Sequence, residues 1–256
     1  MDGIETVFSS LPRYLMVSAV LLVAEAVYVM FGFGAGLIAV GALAVILPEI
    51  QDVVVLLLLI NVLPELYVVF RSRHRVTWRG IATICLGIAV GVPLGTRLLQ
   101  VKEPTIILVV LGCFLVVAGS AFLLVPARRN VSWPAWSGPP VGLISGLLSG
   151  LFGTGGPPLI FYYQLGGLEK AVFRGNLMAI FLLVGLVRLP CYGVAGPITT
   201  PRLWSALAVM PAVLLGAWLG NRIHLQLAET TFRRLVSICL VLIGVVILWQ
   251  RLAVGS

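Results

Sequence analysis

The chain is poor in charge. Of its 256 residues only 10% are Asp, Glu, Lys or Arg, 60% are hydrophobic, and the mean hydropathy is +1.12. A soluble domain carries about 25% charged residues, so no water-facing surface can be built here and a globular cytosolic enzyme is excluded. Lysine occurs only at 102 and 170, and histidine only at 74 and 224. The chain has no HExxH, no G-x-S-x-G, no Walker lysine loop and no carboxylate pair at metal spacing. An intramembrane protease, a lipid hydrolase and an ATP-driven pump would each lack its working parts, and no metal or other cofactor is expected. Cys85, Cys113, Cys191 and Cys239 stand singly inside apolar runs and read as small buried side chains. The N-terminus has no basic run before the first apolar segment and no small-residue cleavage signature, so that segment is expected to stay as a membrane helix. The net charge of +8 would suggest nucleic acid in a soluble protein. Here the cations sit between apolar runs, where they orient spans in a bilayer, and no nucleic-acid binding is expected.

What is present is long uncharged sequence. Gly80 to Thr96, Pro104 to Ala127, Ser132 to Leu168 and Leu203 to Asn221 hold no charged residue. Charges and turn residues divide the chain into apolar blocks near 14–47, 52–70, 79–99, 104–126, 138–165, 171–195, 202–222 and 232–251. This reading predicts an all-α polytopic membrane protein of about eight transmembrane helices, surrounded by membrane lipid. The first block would run about 51 Å as one straight helix, well over the hydrocarbon thickness. Its middle holds Gly32, Gly34 and Gly36, and the fifth block holds Gly153, Gly155 and Gly156 followed by Pro157 and Pro158. Glycine weakens a helix and proline removes a backbone donor, so both blocks are expected to break there.

The two breaks belong to an internal pattern. FGFGAG at 31–36 matches FGTGGP at 152–157, Thr77-Trp78 matches Leu203-Trp204, and Gly91/Gly95/Arg97 matches Gly216/Gly220/Arg222, in the same order at nearly constant offset. Two homologous halves, 1–130 and 131–256, follow within one integral membrane domain. Four spans per half is an even number, which predicts parallel repeats with the first helix of each broken at its glycine motif. On that count the cations divide nine against seven between the two faces, too evenly to orient the protein, with the dense RSRHR link leaning towards cytoplasmic termini.

A glycine-rich break opening each half, an Arg/His-rich link ending in Trp and a Gly-rich third span together resemble the TauE/SafE sulfite-exporter family. The most specific stretch is GLLSGLFGTGGPPLI at 146–160 followed by FRGNL at 173–177. The first half departs, with Leu57-Leu58-Leu59 standing where Gly175-Asn176-Leu177 stands later. The resemblance implies a bacterial plasma-membrane exporter of sulfite, a sulfonate or a related small anion, and not an enzyme.

Independently of the resemblance, a broken helix offers free N–H groups and a positive dipole end to an anion. Gly32, Gly34, Gly36, Gly153, Gly155 and Gly156 are therefore candidate substrate-binding positions. Close helix packing is the expectation for Gly91/Gly95, Gly142/Gly146/Gly150 and Gly216/Gly220. Charged residues inside spans are costly unless they face a cavity or a partner. Glu25 is the candidate proton-coupling group, with Glu65 next. Arg188, just before Pro190, reads as a substrate-binding cation or as one snorkelling to the interface. Asn176 is a candidate donor to an anion. A non-transporting membrane scaffold or subunit of a larger complex stays open as the other reading; a polar cavity reaching both glycine clusters would discriminate. A homodimer is compatible with the sequence but not specified by it.

Overall fold

A computed structural model describes residues 6–31, 35–100, 104–124, 131–222 and 229–253, and among them contains ten α-helices and no strand. The first block is covered by α1 (Leu11–Phe31) and α2 (Ala35–Ile46), the fifth by α6 (Gly138–Phe152) and α7 (Gly156–Leu165). The other blocks each give one helix: α3 (Ile50–Ser72), α4 (Trp78–Leu99), α5 (Pro104–Leu124), α8 (Lys170–Ala195), α9 (Thr200–Arg222) and α10 (Glu229–Ala253). Six of them, α1, α3, α4, α5, α8 and α9, are long and apolar enough to cross a membrane. Large apolar side chains such as Leu86, Val117, Val194 and Trp218 are exposed on their outer faces, as lipid contact allows and water does not. The chain is an all-helical, multi-pass membrane protein.

Contacts between helices give their directions. Val7 N–H donates to Ser205 Oγ, and the Tyr14 hydroxyl donates to the Ala208 carbonyl. Further along, Gly216 lies against Leu22 and Gly220 against Ala26, so α1 and α9 run parallel. Arg202, at the start of α9, also holds Glu49 and Asp52, just past the end of α2. The start of α1 and the end of α2 therefore lie on the same face, and α2 runs back along α1. The second pair repeats this. Gly142 packs against Ile84 and Gly150 against Val92, making α6 parallel to α4. Trp133 Nε1 and Val131 N–H donate to the carbonyls of Tyr162 and Leu165, which returns the end of α7 to the level where α6 begins.

These directions correct the expected architecture. The first helix of each half is not a span broken midway; α1–α2 and α6–α7 are antiparallel hairpins. Each hairpin begins and ends on one face and so adds no net crossing, where the sequence reading counts it as one of four spans per half. Helices α4 and α6 begin on the face where α3 ends, opposite to the start of α1, so the two hairpins enter from opposite faces. The physical reason is length. Helices α1 and α2 have 21 and 12 residues, about 31 and 18 Å at 1.5 Å per residue, so together they exceed one crossing and the second folds back along the first.

Glycine stripes set how closely the helices approach. A Cβ on Gly87 would strike the Pro139 carbonyl, one on Gly95 the Leu147 carbonyl, and one on Gly142 the Ile84 carbonyl. Helices α4 and α6 thus touch backbone to backbone, as expected of Gly91/Gly95 and Gly142/Gly146/Gly150. Gly216 and Gly220 do the same between α9 and α1, where van der Waals packing is the main attraction available in lipid. A second tie is ionic. Arg202 Nε lies 2.7 Å from Asp52 Oδ1 and its Nη2 2.8 Å from Glu49 Oε2, while Nη1 donates to the Pro197 carbonyl at 2.7 Å. Asp52 and Arg202 are buried, whereas the Glu49 side chain is 63% exposed.

Two outcomes follow for thermal unfolding in detergent. Gly142→Leu should destabilise by about 3 kcal/mol or more, because overpacked backbones have no flexible neighbour to move; Gly193→Ala, whose Cβ meets nothing within 4 Å, should unfold like wild type. Arg202→Met should cost about 3–5 kcal/mol by leaving Asp52 as a buried unpaired charge, and Glu49→Gln less than about 1 kcal/mol.

Candidate functional site

The tip of the second hairpin follows from its sequence. Helix α6 ends at Gly153, which adopts φ 77° and returns its N–H to the Ser149 carbonyl at 2.9 Å. Only glycine enters that left-handed region without strain. Pro157 and Pro158 then open α7, where a missing N–H has no partner to lose. Gly155 sits so close to α6 that a Cβ would strike the Ser145 carbonyl and Ser149 Oγ. Ser145 Oγ donates to the Gly155 carbonyl at 2.7 Å.

Beside this tip lies a cavity of about 50 Å³, room for about four waters or a small anion. Gly153, Thr154, Gly155 and Gly156 line one side, and Gly36 of α2 the other. A Cβ on Gly36 would stand 3.4 Å from Thr154 Oγ1, so the two glycine motifs meet across it. The remaining wall comes from Tyr28 of α1, Asn61 and Glu65 of α3, and Phe181, Gly185 and Arg188 of α8. A second, smaller cavity of about 10 Å³ adjoins it and shares Tyr28, Gly36, Leu57 and Asn61; Glu25 lines this one.

Three ionisable side chains are buried here. Arg188 is 4% exposed. Its Nη1 donates to the Gly153 carbonyl at 3.2 Å, and its Nη2 to the Val54 carbonyl at 3.0 Å and the Tyr192 hydroxyl at 3.2 Å. Tyr192 in turn donates to the Gly150 carbonyl at 2.7 Å, and its ring lies under the guanidinium. All these acceptors are neutral, and Arg188 Nε has no partner among the described residues. Glu65 accepts a hydrogen bond from the Tyr28 hydroxyl at 2.9 Å. Glu25 is buried with Oε1 unpartnered among the same residues.

The structure brings together Gly36, Gly153, Gly155, Gly156 and Arg188, and places Glu25 next door. Snorkelling of Arg188 is excluded by its burial. Gly155 has a steric duty against α6 as well as a place in the wall. Asn176 is a correction. Its Oδ1 accepts from Thr77 N–H at 2.8 Å and its Nδ2 donates to Thr77 Oγ1 at 2.6 Å, so its amide is spent fixing the α3–α4 link and does not line the cavity. Gly32 and Gly34 lie outside the described residues. Sequence reasoning missed Tyr28 and Thr154. Tyr28 stands three residues after Glu25, on the same helix face, which was the available signal.

A buried cation and a buried carboxyl lining one cavity beside the interrupted α6–α7 backbone, inside a bundle of apolar helices, fit a membrane protein that handles a polar solute. Residues 17–247 match the family described as Sulfite exporter TauE/SafE, and the chain belongs to that family of membrane transporters. It is 26% identical over 220 residues to a Cupriavidus necator protein named "Probable sulfite/organosulfonate exporter TauE", covering 83% of this chain and 85% of that one. It is 25% identical over 172 residues to the Comamonas testosteroni "Probable inner membrane transporter protein TsaS", covering 67% and 72%. No solved structure matches the chain.

Proposed function

We propose that the protein is a secondary transporter of a small sulfur-containing anion, such as sulfite or an organosulfonate, exporting it across the bacterial plasma membrane. The carrying observation is Arg188: a buried guanidinium with a free Nε, facing a cavity that reaches both glycine motifs. An anion there gains a charge-assisted hydrogen bond, and the N–H groups ahead of Pro157 add donors. A scaffold has no use for such a cation, and a dry packed core at the glycines, which that reading needs, is absent from the described residues. The name of the Cupriavidus necator relative supports the substrate class and the outward direction, and that of the Comamonas testosteroni relative supports a transporter.

The halves 1–130 and 131–256 are read as inverted repeats, related by an axis in the membrane plane. The partner exchange supports this: α1 packs on α9 as α6 packs on α4, while α3 faces α8 and α5 faces α10. The helix directions also redistribute the cations. Among the described residues, the face of the RSRHR link takes Arg71, Arg73, Arg75, Arg79, Lys170, Arg174, Arg222, Arg233 and Arg234; the other takes Arg13, Arg97, Arg202 and Arg251. Nine against four favours a cytoplasmic RSRHR face, with the start of α1 and the end of α10 outside, opposite to the lean of the eight-span count.

Two measurements test this reading. In liposomes, Arg188→Gln should lower sulfite and methanesulfonate uptake by about thirtyfold or more, the equivalent of about 2 kcal/mol for a lost buried charge partner. Gly156→Ala, whose Cβ would make ordinary contacts with Ile160 and Phe181, should fold normally yet slow uptake by narrowing the cavity. Wild-type rates in both variants would remove the cavity from the transport path. For orientation, alkaline phosphatase fused after Ser256 should be active and a fluorescent protein fused there dark; the reverse pattern places the termini inside.

A further inference from the structure

Arg188 has no carboxylate within ion-pair distance among the described residues, although a buried carboxyl shares its cavity. Glu65 Oε1 is held by Tyr28. Its Oε2 lies beside Gly185, 3.8 Å from where a Cβ on that glycine would stand, and Gly185 precedes Arg188 by one turn of α8. The cation and this carboxyl line the same cavity without pairing. Every element around the site contributes to the charge count. Helix α1 presents Glu25 and Tyr28, α3 presents Glu65, and α8 presents Arg188; the residues that α2, α6 and α7 present to the two cavities are uncharged. One fixed cation thus faces two carboxyls.

Burying a net charge in a low-dielectric site is expensive, and this restricts which states are populated. Without substrate, the site is neutral when one carboxyl is ionised. Glu65 suits that role, since it shares the cavity with Arg188 and its oxygen receives the Tyr28 hydrogen bond. Glu25 lines only the adjoining cavity and stays neutral, its oxygen unpartnered. When a monovalent anion reaches Arg188, it replaces Glu65 as the countercharge. Neutrality is then kept only if Glu65 takes up a proton, with the Tyr28 hydroxyl still donating to its other oxygen.

Building on the anion-transport reading, we propose that Glu65 couples transport to protons: each anion bound at Arg188 is accompanied by one proton bound at Glu65, and the two cross together. The loaded and empty sites carry the same charge, so a monovalent anion moves electroneutrally. The membrane potential then drops out of the driving force, and net direction follows the anion and proton gradients, so export proceeds when the outward anion gradient exceeds the inward proton gradient. This moves the coupling role from Glu25, the candidate of the sequence, to the carboxyl that shares the cation's cavity.

The test uses the full-length protein in liposomes with methanesulfonate, which carries no titratable proton of its own near neutral pH. Internal pH is followed with a trapped dye, and potential is imposed with potassium and valinomycin. For wild type, one proton should enter per anion, and accumulation should not change with imposed potential. Glu65→Gln keeps the shape of the protonated side chain and an acceptor for Tyr28. Its uptake should bring no proton and become electrogenic, with final accumulation rising about tenfold per about 59 mV of inside-positive potential. Glu25→Gln should retain wild-type coupling. Proton entry that persists in Glu65→Gln, or is lost in Glu25→Gln alone, overturns the assignment to Glu65. Wild-type uptake that is potential-driven and proton-free overturns the coupling while leaving the transport reading intact. Absence of both sulfite and methanesulfonate uptake by wild type overturns the transport reading and this proposal with it. A Glu65→Gln protein without uptake is decided by binding: methanesulfonate binding to purified wild type should take up one proton, and binding to the variant none.

Discussion

Irregular backbone within a membrane has to be enclosed by protein or hydrated, because lipid offers no hydrogen-bond partners. The second hairpin tip, Gly153 to Gly155, obliges the molecule to satisfy this condition, and much of its packing can be traced to it. Helix α6 carries the tip inward and is itself too short to cross, so it must lie against a full span. The glycines of α4 and α6 bring the two backbones into contact, which places the tip inside the protein between α3 and α8. Ser145 and Arg188 then supply hydrogen bonds that the interrupted helices cannot make for themselves. Helix α1 uses the same device against α9 to hold its own hairpin.

Arg188 joins this structural requirement to function. It completes the tip by donating to the Gly153 carbonyl, yet its Nε is left over. Its other partners, the Val54 carbonyl and the Tyr192 hydroxyl, come from α3 and from its own helix. A cation held by neutral acceptors on a hairpin tip and a neighbouring span keeps its full charge available to a ligand. In the proposed function, motion of the tip relative to α3 would alter the coordination of the same group that meets the anion, and substrate binding and hairpin position would be tied to one side chain.

Many of these features are legible in the amino-acid sequence. The charge-free runs locate every helix to within a few residues, and the glycine clusters mark both interruptions. The packing role of Gly91, Gly95, Gly142, Gly146, Gly150, Gly216 and Gly220 is visible from their four-residue spacing, and Glu25, Glu65 and Arg188 stand out as charges inside apolar sequence. Asn176 misleads because a buried amide beside a glycine looks alike whether it faces a ligand or a backbone; its partner, Thr77, is 99 residues away. Tyr28 escapes notice because its hydroxyl matters only next to Glu65, on another helix.

The sequence by itself determined the solvent of this protein, the number and place of its helical segments and the residue types available for a site, because hydropathy, helix length and glycine or proline interruptions are local properties. Direction was decided only by tertiary structure. A glycine break reads the same whether the chain continues across the bilayer or turns back, since both cost the same local hydrogen bonds. Only the packing of α1 on α9 and α6 on α4, with Arg202 gathering the end of α2 to the start of α9, shows that it turns back. From that single fact follow the entry of the two hairpins from opposite faces and the grouping of the described cations on one face. Each depends on contacts between residues far apart in the chain.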